Sequence, residues 1–97
     1  MELKHIIKNY TDFPKKGILF RDINPLLEDH KCFNFIIKEL KNRYQDIDIK
    51  YIVGIESRGF IFGSTLAKEL KKGFIVVRKE GKLPGQTIKQ SYNIEYG

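Results

Sequence analysis

Cysteine is nearly absent from this sequence, since Cys32 is the only one among 97 residues. A lone cysteine cannot form an internal disulfide, and no second ligand stands at the spacing of a metal site. We therefore expect a reducing compartment and a Cys32 that packs as a small hydrophobic residue. Long apolar runs are missing too, both the roughly 18 residues of a membrane span and the apolar core of a secretory signal. The expectation is a cytoplasmic protein without a membrane partner.

Acidic residues are fewer than basic ones, and the difference is concentrated in one region. Asp and Glu number 12 against 18 Lys and Arg, which gives a net charge of +6. Residues 68–90 carry seven basic side chains and two acidic ones. Such an excess suits a polyanion, a phosphorylated small molecule or a solvated surface, and charge alone favours the surface. Nucleic acid is not an expected partner, because interleaved aromatic residues and a recognition helix are missing.

Internal repeats, low-complexity segments and linkers are also missing. The composition, 41% hydrophobic and 31% charged, is that of a globular protein and excludes extensive disorder. A chain of this length is at most one small domain. We therefore treat residues 1–97 as a single domain.

Apolar spacing predicts two helices in the first half of the chain. A short N-terminal helix is expected over residues 3–10 and a longer one over residues 31–44, with Asp29 as its N-cap. Between them, residues 18–20 are expected to be extended and residues 21–25 to form a connector, because proline disfavours helical backbone at the residue before it. The sequence pattern of this half does not by itself indicate a catalytic or binding site.

The second half predicts a strand–helix–strand unit. Residues 51–55 and 74–77 are continuous apolar runs, typical of parallel strands covered on both faces. The turn 56–59 lies between the first run and a helix that continues to about Lys71, and Gly73 is expected to end that helix. Alternating polarity over residues 87–96 indicates a half-exposed strand. The fold class is therefore α/β with a parallel sheet.

The two predicted strand ends form the strongest candidate site. Ligands of α/β sheets bind beyond the carboxyl ends of the strands, beside helix N-termini, where N–H groups attract anions. At the turn 56–59, an anion site and a plain tight turn with a surface Arg58 are about equally favoured. The loop after the second strand adds cations at the same edge, and this convergence favours an anion such as a diphosphate. The cations of that loop are Arg78, Lys79 and Lys82.

Four segments, taken in order, resemble the adenine phosphoribosyltransferases, a family of type I phosphoribosyltransferases. They are residues 12–27, 53–63, 77–85 and 92–97, which together span most of the chain. The resemblance implies a Rossmann-like parallel-sheet core preceded by an N-terminal helix and a base-binding segment. It implies pentosyl transfer from 5-phospho-α-D-ribose 1-diphosphate to adenine, giving AMP and diphosphate in purine salvage. Mg²⁺ would enter on the diphosphate substrate, and the enzyme would be a homodimer.

The resemblance also assigns roles to residues. Leu19, Phe20 and Arg21 match the segment that cradles adenine, with Phe20 stacking on the base. Glu95 and Tyr96 match a lid over the reacting centre, where Glu95 is the candidate acid/base. The residues that match the diphosphate site are Glu56, Ser57, Arg58, Gly59, Arg78, Lys79 and Lys82.

Two further expectations follow from the resemblance: a cis Glu56–Ser57 peptide, and an Arg78 that reaches across a dimer interface. One family feature has no counterpart here, the pair of acidic residues followed by a Gly/Thr-rich turn that binds the ribose 5′-phosphate. The chain therefore resembles the N-terminal half of such an enzyme, with an incomplete core. The alternative hypothesis is a fragment that only binds purine nucleotide or diphosphate, or that serves as an assembly half.

Overall fold

The computed structural model describes residues 2–88, and these fall into two compact units, the first up to Phe35 and the second from Ile36. Glu95 and Tyr96, with most of the segment predicted to alternate, lie outside the described residues. The assignment of the whole chain to one domain stays a prediction. Within residues 2–88, no helix is long and apolar enough to cross a membrane.

The first unit is built on an antiparallel strand pair, β1 (Lys8–Thr11) and β2 (Leu19–Asp22). The extended segment expected at residues 18–20 is thus confirmed. The N-terminal helix is shorter than predicted, because only Leu3–His5 is helical, as one 3₁₀ turn. The end of the predicted helix joins β1 instead, where pairing with β2 satisfies its backbone and outweighs the helical spacing of its apolar side chains.

Helix α1 (Asn24–Glu28) replaces the end of the predicted connector. The prediction was wrong there because Pro25 stands in the first helical turn, where a backbone N–H would have no partner within the helix. The Asp22 carboxylate accepts the Asn24 N–H at 2.9 Å and fixes the entry into α1. Leu26 is the buried residue of this helix, at 4% exposure.

Helix α2 (His30–Tyr44) confirms the longer predicted helix and its cap. Oδ1 of Asp29 accepts the N–H groups of Lys31 at 2.9 Å and Cys32 at 3.4 Å. These bonds favour the ionised carboxylate and hold the pKa of Asp29 below its ordinary value. Cys32 is buried as predicted, and its burial raises the pKa of the thiol.

The second unit is the predicted strand–helix–strand arrangement, β3 (Tyr51–Ile55), α3 (Arg58–Leu70) and β4 (Gly73–Val77). The strands are parallel, and their register runs from Tyr51 opposite Gly73 to Ile55 opposite Val77. Lys71 caps the C-terminus of α3 with a left-handed φ of 59°. Its neighbour Lys72 donates its N–H to the Ala67 carbonyl at 2.9 Å. Gly73 is the first residue of β4. The prediction that it ends the helix was therefore wrong.

One face of this sheet packs against α3, where Leu66 and Ala67 are buried. On the other face, Tyr51, Val53 and Ile55 are each 58% exposed. The prediction that these apolar strands are covered on both faces is therefore wrong for the described residues, because the one helix between the strands covers a single face.

Candidate functional site

Close backbone packing places the turn between β3 and α3. A Cβ atom on Gly54 would lie 2.5 Å from the Gly59 carbonyl oxygen and 2.5 Å from Cζ of Phe74. A Cβ atom on Gly63, one helical turn beyond Gly59, would lie 2.7 Å from Cε1 of the same ring. These glycines therefore allow a close approach of the backbone, which brings the start of α3 against the end of β3.

The turn itself continues the sheet before it enters the helix. The Glu56 N–H donates to the Val77 carbonyl at 3.0 Å, one step beyond the last strand pair. The Glu56–Ser57 peptide is cis, as the resemblance implied. Ser57 caps α3 without a side-chain hydrogen bond to the helix. The positive end of the α3 dipole therefore lies at the sheet edge expected to bind an anion.

The Glu56 side chain links the ends of the two strands. Its Oε2 accepts Nε–H of Arg78 at 3.1 Å, and its Oε1 accepts the backbone N–H of Lys79. The Lys79 bond is the largest cause that lowers the pKa of Glu56, followed by Arg78 and by the charge of Lys82. The carboxylate is therefore ionised at neutral pH.

Arg78 has a second contact, with the aromatic part of the same unit. Its guanidinium carbon lies 5.9 Å from the centroid of the Phe60 ring, which in turn meets the Phe74 ring edge to face, with centroids 6.1 Å apart. The side chain of Arg78 is 37% exposed. It is thus attached to the protein through Glu56 and Phe60 while part of it still meets solvent.

The second unit therefore contains all of the residues that the resemblance assigned to the diphosphate site. Glu56, Arg78 and Lys79 are in contact, and Lys82 donates its N–H to the Lys79 carbonyl at 3.1 Å. Ser57 adjoins Glu56, and Arg58 and Gly59 form the first turn of α3. Cationic side chains at a helix N-terminus bind phosphate groups through charge-assisted hydrogen bonds.

Sequence reasoning missed the bond from Glu56 to Arg78. The signal was available in the spacing, because two parallel strands in register bring the residues that follow them side by side. Ile55 lies opposite Val77, so Glu56 and Arg78 are neighbours at the sheet edge.

The first unit carries a separate cavity at its strand pair, of about 320 Å³. The residues that line it are Tyr10, Phe13, Phe20, Asp22 and Asn24. Phe20 stands opposite Tyr10 in the β1–β2 register and meets the Phe13 ring at 5.1 Å between centroids. Aromatic walls with a few polar groups suit a planar heterocycle such as a nucleobase.

The other two residues assigned to adenine lie differently. Leu19 and Arg21 alternate with Phe20 along β2, so their side chains leave the opposite face of the strand. Sequence reasoning had not selected the other four residues of the cavity, although the aromatic character of Tyr10 and Phe13 was visible. In the part of the chain between residues 2 and 88, no three His, Cys, Asp or Glu side chains group closely enough to hold a metal ion.

Similarity to known proteins extends over the whole chain. No protein-family model matches it. A curated adenine phosphoribosyltransferase of Halothermothrix orenii is 59% identical over all 97 residues, which are 57% of that protein's length. The chain thus spans about half the length of the curated relatives it matches.

Solved structures agree with the fold. The APRTase of Giardia lamblia in complex with 9-deazaadenine superimposes with a TM-score of 0.93 at 42% identity, covering 97% of this chain and 52% of that one. The adenine phosphoribosyltransferase of Trypanosoma brucei in complex with AMP, pyrophosphate and ribose-5-phosphate gives a TM-score of 0.87 at 29% identity, over 97% of this chain and 43% of that one. The chain is homologous along its length to adenine phosphoribosyltransferases and has the corresponding part of their α/β fold.

Proposed function

We propose that this chain supplies the base-binding and diphosphate-binding parts of an adenine phosphoribosyltransferase in purine salvage. The reaction transfers the phosphoribosyl group from 5-phospho-α-D-ribose 1-diphosphate to adenine and releases diphosphate. The observation that carries this proposal is the 59% identity to an adenine phosphoribosyltransferase over every residue of the chain. The complex of a structural relative with 9-deazaadenine supports adenine as the base.

The physical chemistry of the transfer fits the two parts. Breaking the bond at the anomeric carbon builds positive charge on the ribose and negative charge on the departing diphosphate. Cations placed beforehand around that leaving group stabilise the transition state more than the ground state. In our proposal, Arg78, Lys79, Lys82 and the start of α3 have this role, and Mg²⁺ arrives on the diphosphate substrate.

The cavity of the first unit would bind the base. Phe20 would stack on the adenine ring, and the 320 Å³ of the cavity falls within the usual range for small-molecule sites. Glu95 and Tyr96 would close over the reacting centre, with Glu95 as acid/base near the purine. A homodimer in the cytoplasm completes the proposal.

The test is AMP formation by the purified chain from labelled adenine, 5-phospho-α-D-ribose 1-diphosphate and Mg²⁺. The H. orenii relative serves as positive control, and hypoxanthine replaces adenine as the specificity control. Formation of labelled AMP from adenine, without a corresponding nucleotide from hypoxanthine, supports the full proposal. Binding of AMP in a titration without turnover supports the binding-fragment alternative. A chain that shows neither turnover nor binding contradicts the proposal and the binding fragment, and favours the assembly half.

A further inference from the structure

We infer that Glu56 is a positioning residue, which holds Arg78 and the backbone of Lys79 in place for an anion that the carboxylate itself does not touch. The inference rests on the proposed diphosphate site and changes the role of one of its members. The family resemblance assigned Glu56 to diphosphate binding with its neighbours in the turn. A carboxylate beside a diphosphate repels it, so its side chain needs another role.

Both carboxylate oxygens of Glu56 have hydrogen-bond partners in the loop that follows β4. Oε2 binds Nε of Arg78 at 3.1 Å, and Oε1 binds the backbone N–H of Lys79. One side chain thereby fixes a neighbouring side chain and the direction of the main chain that follows it. The side chain of Glu56 is 26% exposed, so these bonds are partly shielded from water.

The arrangement leaves Arg78 able to bind an anion. Guanidinium carries five N–H donors, and the bond to Glu56 uses the one at Nε. The Phe60 ring, whose centroid lies 5.9 Å from the guanidinium carbon, further restricts the conformations of the Arg78 side chain. An arginine oriented before the ligand arrives loses less conformational freedom on binding, which favours affinity.

A competing interpretation predicts the opposite effect of removing Glu56 on anion binding. Glu56 could occupy the cations in place of the ligand, and its removal would then strengthen anion binding. The bond from Oε1 to the Lys79 backbone argues against this, because a competitor for cationic side chains has no need of a main-chain donor. The contact of Arg78 with Phe60 also holds the arginine independently of any competition.

The first measurement is calorimetric titration of the 97-residue chain with magnesium diphosphate. We expect Glu56→Ala to weaken binding at least tenfold. Glu56→Gln should lie between this variant and the unchanged chain, because its amide oxygen can still accept the Lys79 N–H. Glu69→Ala, which removes the same charge from the other end of α3, is the matched control and should bind within twofold of the unchanged chain. Equal or tighter binding by Glu56→Ala overturns the inference, and tighter binding supports the competitor.

The second measurement needs no ligand. Hydrogen exchange of the Lys79 amide should accelerate at least tenfold in Glu56→Ala and keep its protection in Arg78→Ala, where the carboxylate can still accept it. Equal Lys79 exchange in the unchanged chain and Glu56→Ala overturns the positioning role. If the unchanged chain binds no diphosphate, the proposed function of this turn fails while the exchange result still decides the role of Glu56. Should Glu56→Ala not fold, the titration is repeated with Glu56→Gln against Glu69→Gln. We expect Glu56→Gln to bind magnesium diphosphate more weakly than Glu69→Gln, and equal or tighter binding overturns the inference.

Discussion

Replacing Gly54 with alanine tests the packing that places the diphosphate turn. The added Cβ would lie 2.5 Å from the Gly59 carbonyl oxygen, well inside the 3.0 Å that real Cβ contacts respect. That oxygen belongs to the first turn of α3 and cannot rotate away, so the end of β3 and the start of α3 must separate by several tenths of an ångström. Overpacking of this kind costs about 1–3 kcal/mol. For a chain of this size that corresponds to a fall in Tm of roughly 4–8 °C per kcal/mol.

Urea and thermal unfolding followed by circular dichroism measure the loss, and Gly63→Ala is the matched control. Its Cβ would meet Cε1 of Phe74 at 2.7 Å, but the atom it meets belongs to a side chain that can move. Alanine also raises helix propensity by about 1 kcal/mol relative to glycine. Gly63→Ala should therefore cost less than Gly54→Ala.

A second-site variant separates the two contacts. Phe74→Leu shortens the side chain that both added Cβ atoms meet, so it should largely offset the cost of Gly63→Ala. It should offset little of the cost of Gly54→Ala, because the Gly59 carbonyl remains 2.5 Å away. Two results would refute this reasoning: a Gly54→Ala protein as stable as the unchanged chain, or full rescue of Gly54→Ala by Phe74→Leu.

Three further predictions concern other parts of the chain. Phe20→Ala should weaken adenine binding about tenfold, since base–aromatic stacking contributes ~1–3 kcal/mol. Calorimetric titration with adenine measures the loss, and Tyr51→Ala in the second unit is the control. Equal losses of adenine affinity in the two variants would contradict the assignment of the cavity to the base. The lowered pKa of Asp29 stabilises the fold above its unfolded pKa, and this contribution is lost as pH falls through the folded pKa. Asp29→Asn, which still accepts a hydrogen bond but does not titrate, should therefore show a shallower fall of the urea midpoint below about pH 4, and parallel curves would count against the cap. Leu66→Ala should cost about 2–5 kcal/mol and Ile61→Ala, 39% exposed on the same helix, about 1 kcal/mol or less; similar urea midpoints for the two variants would contradict the packing of α3.

Regular elements were predictable where one local signal dominated. The cap at Asp29 and the helical spacing after it located α2, and the two apolar runs located β3 and β4. The prediction failed at residues 3–10, where the apolar side chains have helical spacing but residues 8–10 belong to β1. The deciding energy there is hydrogen bonding to β2, a partner that a local pattern does not contain.

The candidate site was predictable as a place and less so as a set of contacts. Parallel strands put the turn at Glu56 and the loop at Arg78 on one edge, and the structure has them there. The charges, however, predicted only that the basic residues bind an anion, and the resemblance placed Glu56 in the diphosphate site without indicating its contacts. Only the distances show that Glu56 contacts Arg78 and Lys79, which makes it part of the support for those cations.

The exposed face of β3 shows what an apolar run does and does not say. Val53 and Ile55, each 58% exposed, belong to a strand whose pattern is typical of burial on both faces. Such apolar runs are favourable where both faces of the sheet are covered, and α3 covers one of the two faces. The relatives, of whose length this chain spans about half, keep the same fold over the matched part with TM-scores of 0.93 and 0.87. Within the described residues, therefore, the packing of β3 and β4 against α3 gives the site its geometry, while the opposite sheet face contributes apolar surface and no described contact to it.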